Sequence, residues 1–249
     1  MSSPLQGIDS HDKLMSAISS WLGQLDSIPG WKEWKKASQA DAFFYDHSTY
    51  ETNTERNEFN FPEAISAKHD LIGHYLSLHS AWESLCSTEQ YVRNYPFSKT
   101  GIVSKHEHLR YMVEVFFFRI YEFEEKLEKT LRYTNKIQDT RKNINFKAVI
   151  AEYRKEFSVE LKHRHDITHH NKTGYFTDIR LDNLYFISTV RRALPDNPEF
   201  KQRELSAYRR ASRELSGIIK HKQKRVRIYL DITAHIILDS CSFLHSLEP

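Results

Sequence analysis

Apolar residues recur at spacings of three and four along most of the chain, the period of helices that turn one face to a core. The strongest stretch runs from about Ser104 to Thr134. There Leu109, Met112, Val113, Phe116, Phe117, Ile120, Phe123, Leu127 and Leu131 form one stripe, with Glu114, Glu122, Glu125 and Lys129 opposite. A second stripe, Ile150, Tyr153, Phe157 and Leu161, predicts a helix from about Phe146. Residues 11–25 read as a short amphipathic helix (Leu14, Ile18, Trp21, Leu22, Leu25) ended by Pro29-Gly30. Pro62 suits a first helical turn, and Ile65, Leu71, Ile72, Tyr75, Leu78 and Trp82 carry the pattern to about Cys86. Residues 178–193 and 199–216 read as two further helices, separated by Pro195 and Pro198.

Two stretches do not fit one period. Residues 38–60 are polar and irregular, with Phe43, Phe44, Tyr45 and Tyr50 as anchors and room for a short hairpin. In 222–247, Val226, Ile228, Leu230, Ile232, Ala234, Ile236 and Leu238 alternate as in a strand. That run is long for one strand and its neighbours are helical, so a buried helix is expected. Tyr95-Pro96 and Gly101 mark a loop.

Composition agrees with an all-α helical bundle. Only seven Gly and seven Pro occur in 249 residues, too few for an all-β or glycine-loop protein, while 39% hydrophobic residues suffice for a core. The expected organisation is an N-terminal helix with an irregular extension (1–61), then a helical domain with a C-terminal helical extension (62–249). The two cysteines, Cys86 and Cys241, form neither a metal-type pair nor a disulfide framework, which points to a reducing, cytoplasmic setting. The opening MSSPLQGIDSHDK has no basic segment followed by an apolar one, and no apolar run approaches membrane-spanning length. No secretory leader and no membrane association are therefore expected.

Net charge is +3, but ten Lys/Arg against two Glu fall between Lys201 and Arg227, leaving the rest net acidic. Such asymmetry suits an anionic partner such as RNA, or a solvated helix face beside an acidic one. Lys220, Lys222, Lys224, Arg225 and Arg227 are the candidate phosphate-tracking residues. Trp31 and Trp34 among Lys32, Lys35 and Lys36 offer either a stacking surface for single-stranded RNA or, more simply, a packing contact.

The chain lacks a G-x-x-x-x-G-K-[ST] loop, a G-x-G-x-x-G loop, a G-x-S-x-G elbow and an H-E-x-x-H pair. Chemistry concentrates in KHRHDITHHN, residues 162–171, where His163, His165, His169 and His170 surround Arg164 and Asp166. His165 and His169, four apart on a helix, could chelate a metal with Asp166, His74 or His79 as a third ligand. Arg164 opposes this, because it places a fixed positive charge beside the ligands. An acid–base site is the stronger alternative. Histidine titrates near neutrality, while the planar arginine fork binds phosphate oxygens. Together they can move protons and stabilise charge developing on phosphorus. On an ideal helix, positions 164 and 169 stand about 140° apart. They converge if the helix distorts, or if a second subunit brings the complement. A solvated helix end without chemistry is the third reading.

Arg164-His165-Asp166-Ile167-Thr168-His169 resembles the R-x4-H motif of HEPN domains, with His165 as the polar residue after the arginine. The resemblance implies an all-α bundle with a HEPN-like core and additional N- and C-terminal helices, in which the motif follows a pair of long antiparallel helices. It also implies a metal-independent endoribonuclease of toxin or phage-defence type, without a cofactor. Its RNA would lie in a homodimer cleft, with a cognate antitoxin or regulator protein as a further partner. Arg164 and His169 would be catalytic. His165, Asp166 and His170 would support them, and Glu122, Glu124 or Glu125 would orient the pair. Catalytically silent relatives bind RNA or protein instead.

Overall fold

The computed structural model describes residues 9–43, 59–94, 103–138, 145–170 and 181–244, with the backbone alone for 39–43 and 166–170. Among the described residues there are eight α-helices and no strand. They are α1 (Ser10–Gln24), α2 (Trp31–Phe43), α3 (Glu63–Arg93), α4 (Lys105–Ile137), α5 (Phe146–Glu156), α6 (Ser158–His170), α7 (Leu181–Ala193) and α8 (Pro198–Ser240). The fold is all-α, a helical bundle.

The frame consists of α3, α4 and α8, of 31, 33 and 43 residues. Helix α4 starts on a capping box. The Ser104 hydroxyl accepts from the Glu107 amide (3.2 Å), and the Glu107 carboxylate accepts from the Ser104 amide (2.8 Å). Its whole predicted stripe is buried, and the helix packs along α3. At the far end of α3, Ser212 and Tyr208 of α8 donate to the Val92 carbonyl at 2.9 and 3.3 Å, satisfying a last-turn acceptor.

Helix α8 joins the two separately expected helices and incorporates 222–240. Its second half packs against α1 and α3, burying Val226, Tyr229, Leu230, Ala234, Ile236 and Ile237. A helix covered on more than one side has a widened apolar face, so its sequence loses the narrow one-sided pattern. Gly217 sits on an exposed face of α8, and a methyl group there would meet nothing within 4 Å. Gly217→Ala is expected to stabilise the protein by roughly 0.5–1 kcal/mol, read as a higher urea midpoint at unchanged m.

The N-terminal helix belongs to the same hydrophobic cluster. Leu14, Ile18 and Trp21 of α1 are buried with α3 and α8 side chains. Gly30, at φ +80°, turns the chain into α2. Residues 38–43, expected to be irregular, belong to α2, which runs to Phe43; Phe44, Tyr45 and Tyr50 lie outside the described residues, as do Tyr95-Pro96 and Gly101.

His11 anchors α1. It is 4% exposed, its Nδ1 lies 2.6 Å from the Tyr75 hydroxyl, and its ring stacks on His79 at 4.8 Å. Burial first, then Arg227 and His79, push its pKa down to about 4 against the opposing pull of Asp12. Between pH 6.5 and about 4 the unfolded chain therefore binds a proton that the fold rejects. Stability is expected to fall across that window by on the order of 1–3 kcal/mol as pH drops. Urea titrations at pH 7 and pH 5 should show a smaller loss in His11→Gln than in the parent; equal losses would assign the acid sensitivity elsewhere.

Candidate functional site

Helices α5 and α6 run antiparallel to α4. Arg154 of α5 reaches Glu124 (2.5 Å) and Glu128 (2.8 Å), and the Tyr153 hydroxyl donates to the Ile120 carbonyl (2.8 Å). Further along, His163 of α6 stacks on Phe117, with ring centroids 5.6 Å apart. The single helix expected from Phe146 is interrupted at Phe157, where φ −103° and ψ 19° depart from α-helical values. That ring is fully buried against Tyr153 and Tyr229. On the other side, α8 holds the junction: Tyr229 donates to Glu156 (2.9 Å), Arg225 pairs with Glu156, and Lys222 pairs with the buried Glu160 (2.8 Å).

This arrangement carries Arg164 to the polar edge of α4. Its guanidinium carbon lies 3.9 Å from the centre of the Tyr121 ring and 5.7 Å from that of Phe118. The Tyr121 hydroxyl donates to Glu125 at 3.1 Å. That hydrogen bond, then burial, raises the hydroxyl's pKa, while the positive charge of Arg164 opposes the rise. Glu125 thus reaches the surroundings of Arg164 through Tyr121. Glu122 is paired within its own helix, with Arg119 (2.5 Å) and Lys126 (3.0 Å). Burial alone would raise its pKa, but these two cations hold it below the usual range. Glu124 is buried and bonded to Arg154.

His165 is exposed. The side chains of Asp166, His169 and His170 lie outside the described residues, but the α6 backbone is helical through His170. Positions 164 and 169 therefore stay about 140° apart around the axis and about 7.5 Å apart along it. Of the two conditions for convergence, a distortion of the helix between these positions is not present in the α6 backbone.

The other sequence candidates are dispersed. His74 packs on the Tyr133 ring, and His79 stacks on His11 and approaches Glu83 at 3.7 Å. Among the described residues, no three His, Cys, Asp or Glu side chains gather in metal-binding geometry. Burial raises the Cys86 thiol to about 11, a poor nucleophile at neutral pH. Trp31 is buried and stacks on Trp34 (5.2 Å), with Phe59 and Phe61 against it, which is the packing contact.

Of the basic run, Lys220 faces Glu89 (3.7 Å) and Lys222 and Arg225 face α5–α6. Arg227 lies between Asp12 and Asp231 (3.4 Å each) over the Trp82 ring. Lys224 alone of the five makes no ion pair among the described residues. These cations mostly join helices to one another.

No family model matches the chain, and no curated protein or solved structure is significantly similar to it. Among the described residues, no helix is long and apolar enough to cross a membrane. Phe118 and Tyr121 are the site residues that sequence reasoning missed. Their signal was two aromatics three apart on the otherwise polar face of α4, off its buried stripe.

Proposed function

We propose that this chain is a HEPN-type, metal-independent endoribonuclease whose working site is completed by a second copy of itself. The observation that carries the reading is the geometry of α6. Arg164 is held against Tyr121 and Phe118, while the helix continues unbroken to His170. One chain does not present positions 164 and 169 on one helix face, so a two-fold pairing is the economical way to assemble the kit.

In that cleft one His169 removes the proton of a ribose 2′-hydroxyl, and the 2′-oxygen attacks the adjacent phosphorus. The bond from phosphorus to the 5′-oxygen breaks, and His169 of the second copy protonates that oxygen. Arg164 stabilises the charge on the phosphorane. The products are a 2′,3′-cyclic phosphate and a 5′-hydroxyl.

The test is incubation of the pure protein with labelled RNA in EDTA, with end-group analysis and light scattering at the working concentration. Cleavage with cyclic-phosphate ends by a dimer supports the reading. A strict monomer would remove the second proton carrier. The second reading, a silent RNA- or protein-binding module, draws on the same stack, since an arginine lying on a tyrosine ring also serves packing alone. RNA binding without cleavage would favour it.

A further inference from the structure

One face of α8, from Arg203 to Lys224, presents a second basic surface that shares only Lys220 and Lys224 with the run described above. Arg203, Arg210, Arg213, Gly217, Lys220 and Lys224 follow one another at seven, three or four residues, so they share one face, and all are exposed. The row spans about 30 Å at the helical rise. Arg203 pairs with Glu199 (2.5 Å) and Lys220 with Glu89 (3.7 Å). Arg210, Arg213 and Lys224 make no ion pair among the described residues. Uncompensated like charge along a rigid helix is unfavourable by itself and suits a polyanion.

Beside this row, α7 and α8 enclose a groove of about 350 Å³ lined by Phe186, Ile187, Val190, Phe200, Arg203 and Arg210. Phe186 is 66% exposed and its neighbour Tyr185 58%. The Arg203 guanidinium lies 6.0 Å from the centre of the Phe200 ring. Flat rings standing in water next to arginine forks are what a base and its phosphate require together. An acidic peptide would satisfy the charges but leave the rings unstacked, and an apolar helix would bury arginines without partners. A duplex keeps its bases stacked inside and could not offer one to the groove.

We propose that the α7–α8 groove and the arginine row beside it bind single-stranded nucleic acid, with a base against Phe186 and phosphates along Arg203, Arg210 and Arg213. Only the choice of RNA over DNA rests on the ribonuclease reading.

The test is fluorescence anisotropy of the full chain with a labelled 2′-O-methyl oligonucleotide, which binds as RNA does but has no free 2′-hydroxyl to be cut. Phe186→Ala should weaken binding about 5- to 150-fold, the equivalent of one lost stacking contact. Arg210→Gln and Arg213→Gln should each lower the slope of log K against log salt by about 0.7. Lys155→Gln, which removes an exposed cation on α5, should leave both unchanged. A DNA strand of the same sequence reports the sugar preference. Equal binding by Phe186→Ala and an Arg210→Gln/Arg213→Gln double variant would overturn the proposal. So would failure to bind at low salt, or equal displacement by polyglutamate of matched charge. Intact groove-dependent binding by a protein that cuts no RNA would refute the ribonuclease reading and leave this one standing.

Discussion

Replacing Arg164 or His169 by alanine is expected to abolish RNA cleavage, with each loss ~10²–10⁴-fold, the range for removing a proton-transfer group or a transition-state charge. The two changes should not add, because each removes a part that the other needs. His169 acts in the scheme as base in one copy and acid in the other, so the rate should follow a bell-shaped pH profile that His169→Ala lacks. Arg164→Ala also strips a cation from the Tyr121 ring, a contact worth about 0.5–2 kcal/mol. Thermal melts must therefore accompany the rates. Arg164→Lys separates the two roles. It keeps a positive charge near Tyr121 but loses the fork that engages two phosphate oxygens. A folded Arg164→Lys protein with strongly reduced cleavage places the arginine in the chemistry, whereas normal cleavage assigns it to packing. Undiminished cutting by His169→Ala would end the proton-transfer scheme.

Helix α4 was legible because its stripe from Leu109 to Leu131 is one-sided; the Ser104–Glu107 capping box that fixes its start was read only from the structure. The second half of α8 was harder, since packing against α1 and α3 leaves a narrow exposed edge (Lys224, His235, Asp239) instead of the broad solvent face that a periodic pattern needs. Charge was legible as a count but not as a surface. Glu156, Glu160 and Asp12, remote in sequence from Lys222, Arg225 and Arg227, engage those cations only once α1, α5 and α6 have packed on α8. Arg210 and Arg213, in the less conspicuous part of the same stretch, stay exposed and outside any such ion pair. The R-x4-H spacing could be read directly. The Tyr121 ring beneath Arg164 could not, since it depends on the register between α4 and α6, which Phe117–His163 and Tyr153–Ile120 contacts determine.

Glu204→Gln is expected to cost about 3–5 kcal/mol of stability, the range for breaking a buried ion pair from one side. Glu204 is 3% exposed and joins three helices. Its carboxylate accepts from Lys105 of α4 (3.0 Å), from Ser188 of α7 (3.0 Å) and from Arg191 of α7. Burial alone would raise its pKa, but the hydrogen bonds and charge of these partners outweigh burial and hold it below the usual carboxylate range. A folded pKa below the unfolded value means that the contribution is fully present above about pH 4.5 and disappears as pH falls through the folded pKa. Glutamine keeps the shape but removes the charge that Lys105 and Arg191 face. For a chain of this size, the loss corresponds to a melting temperature lower by roughly 6–20 °C. Adding Lys105→Met should recover part of it, because a buried cation is then removed together with the carboxylate it faced. A loss under about 1 kcal/mol would mean that solvent already screens the cluster. Because the same carboxylate docks α7 on α8, Glu204→Gln should also weaken oligonucleotide binding in the α7–α8 groove, without touching any group that faces the strand.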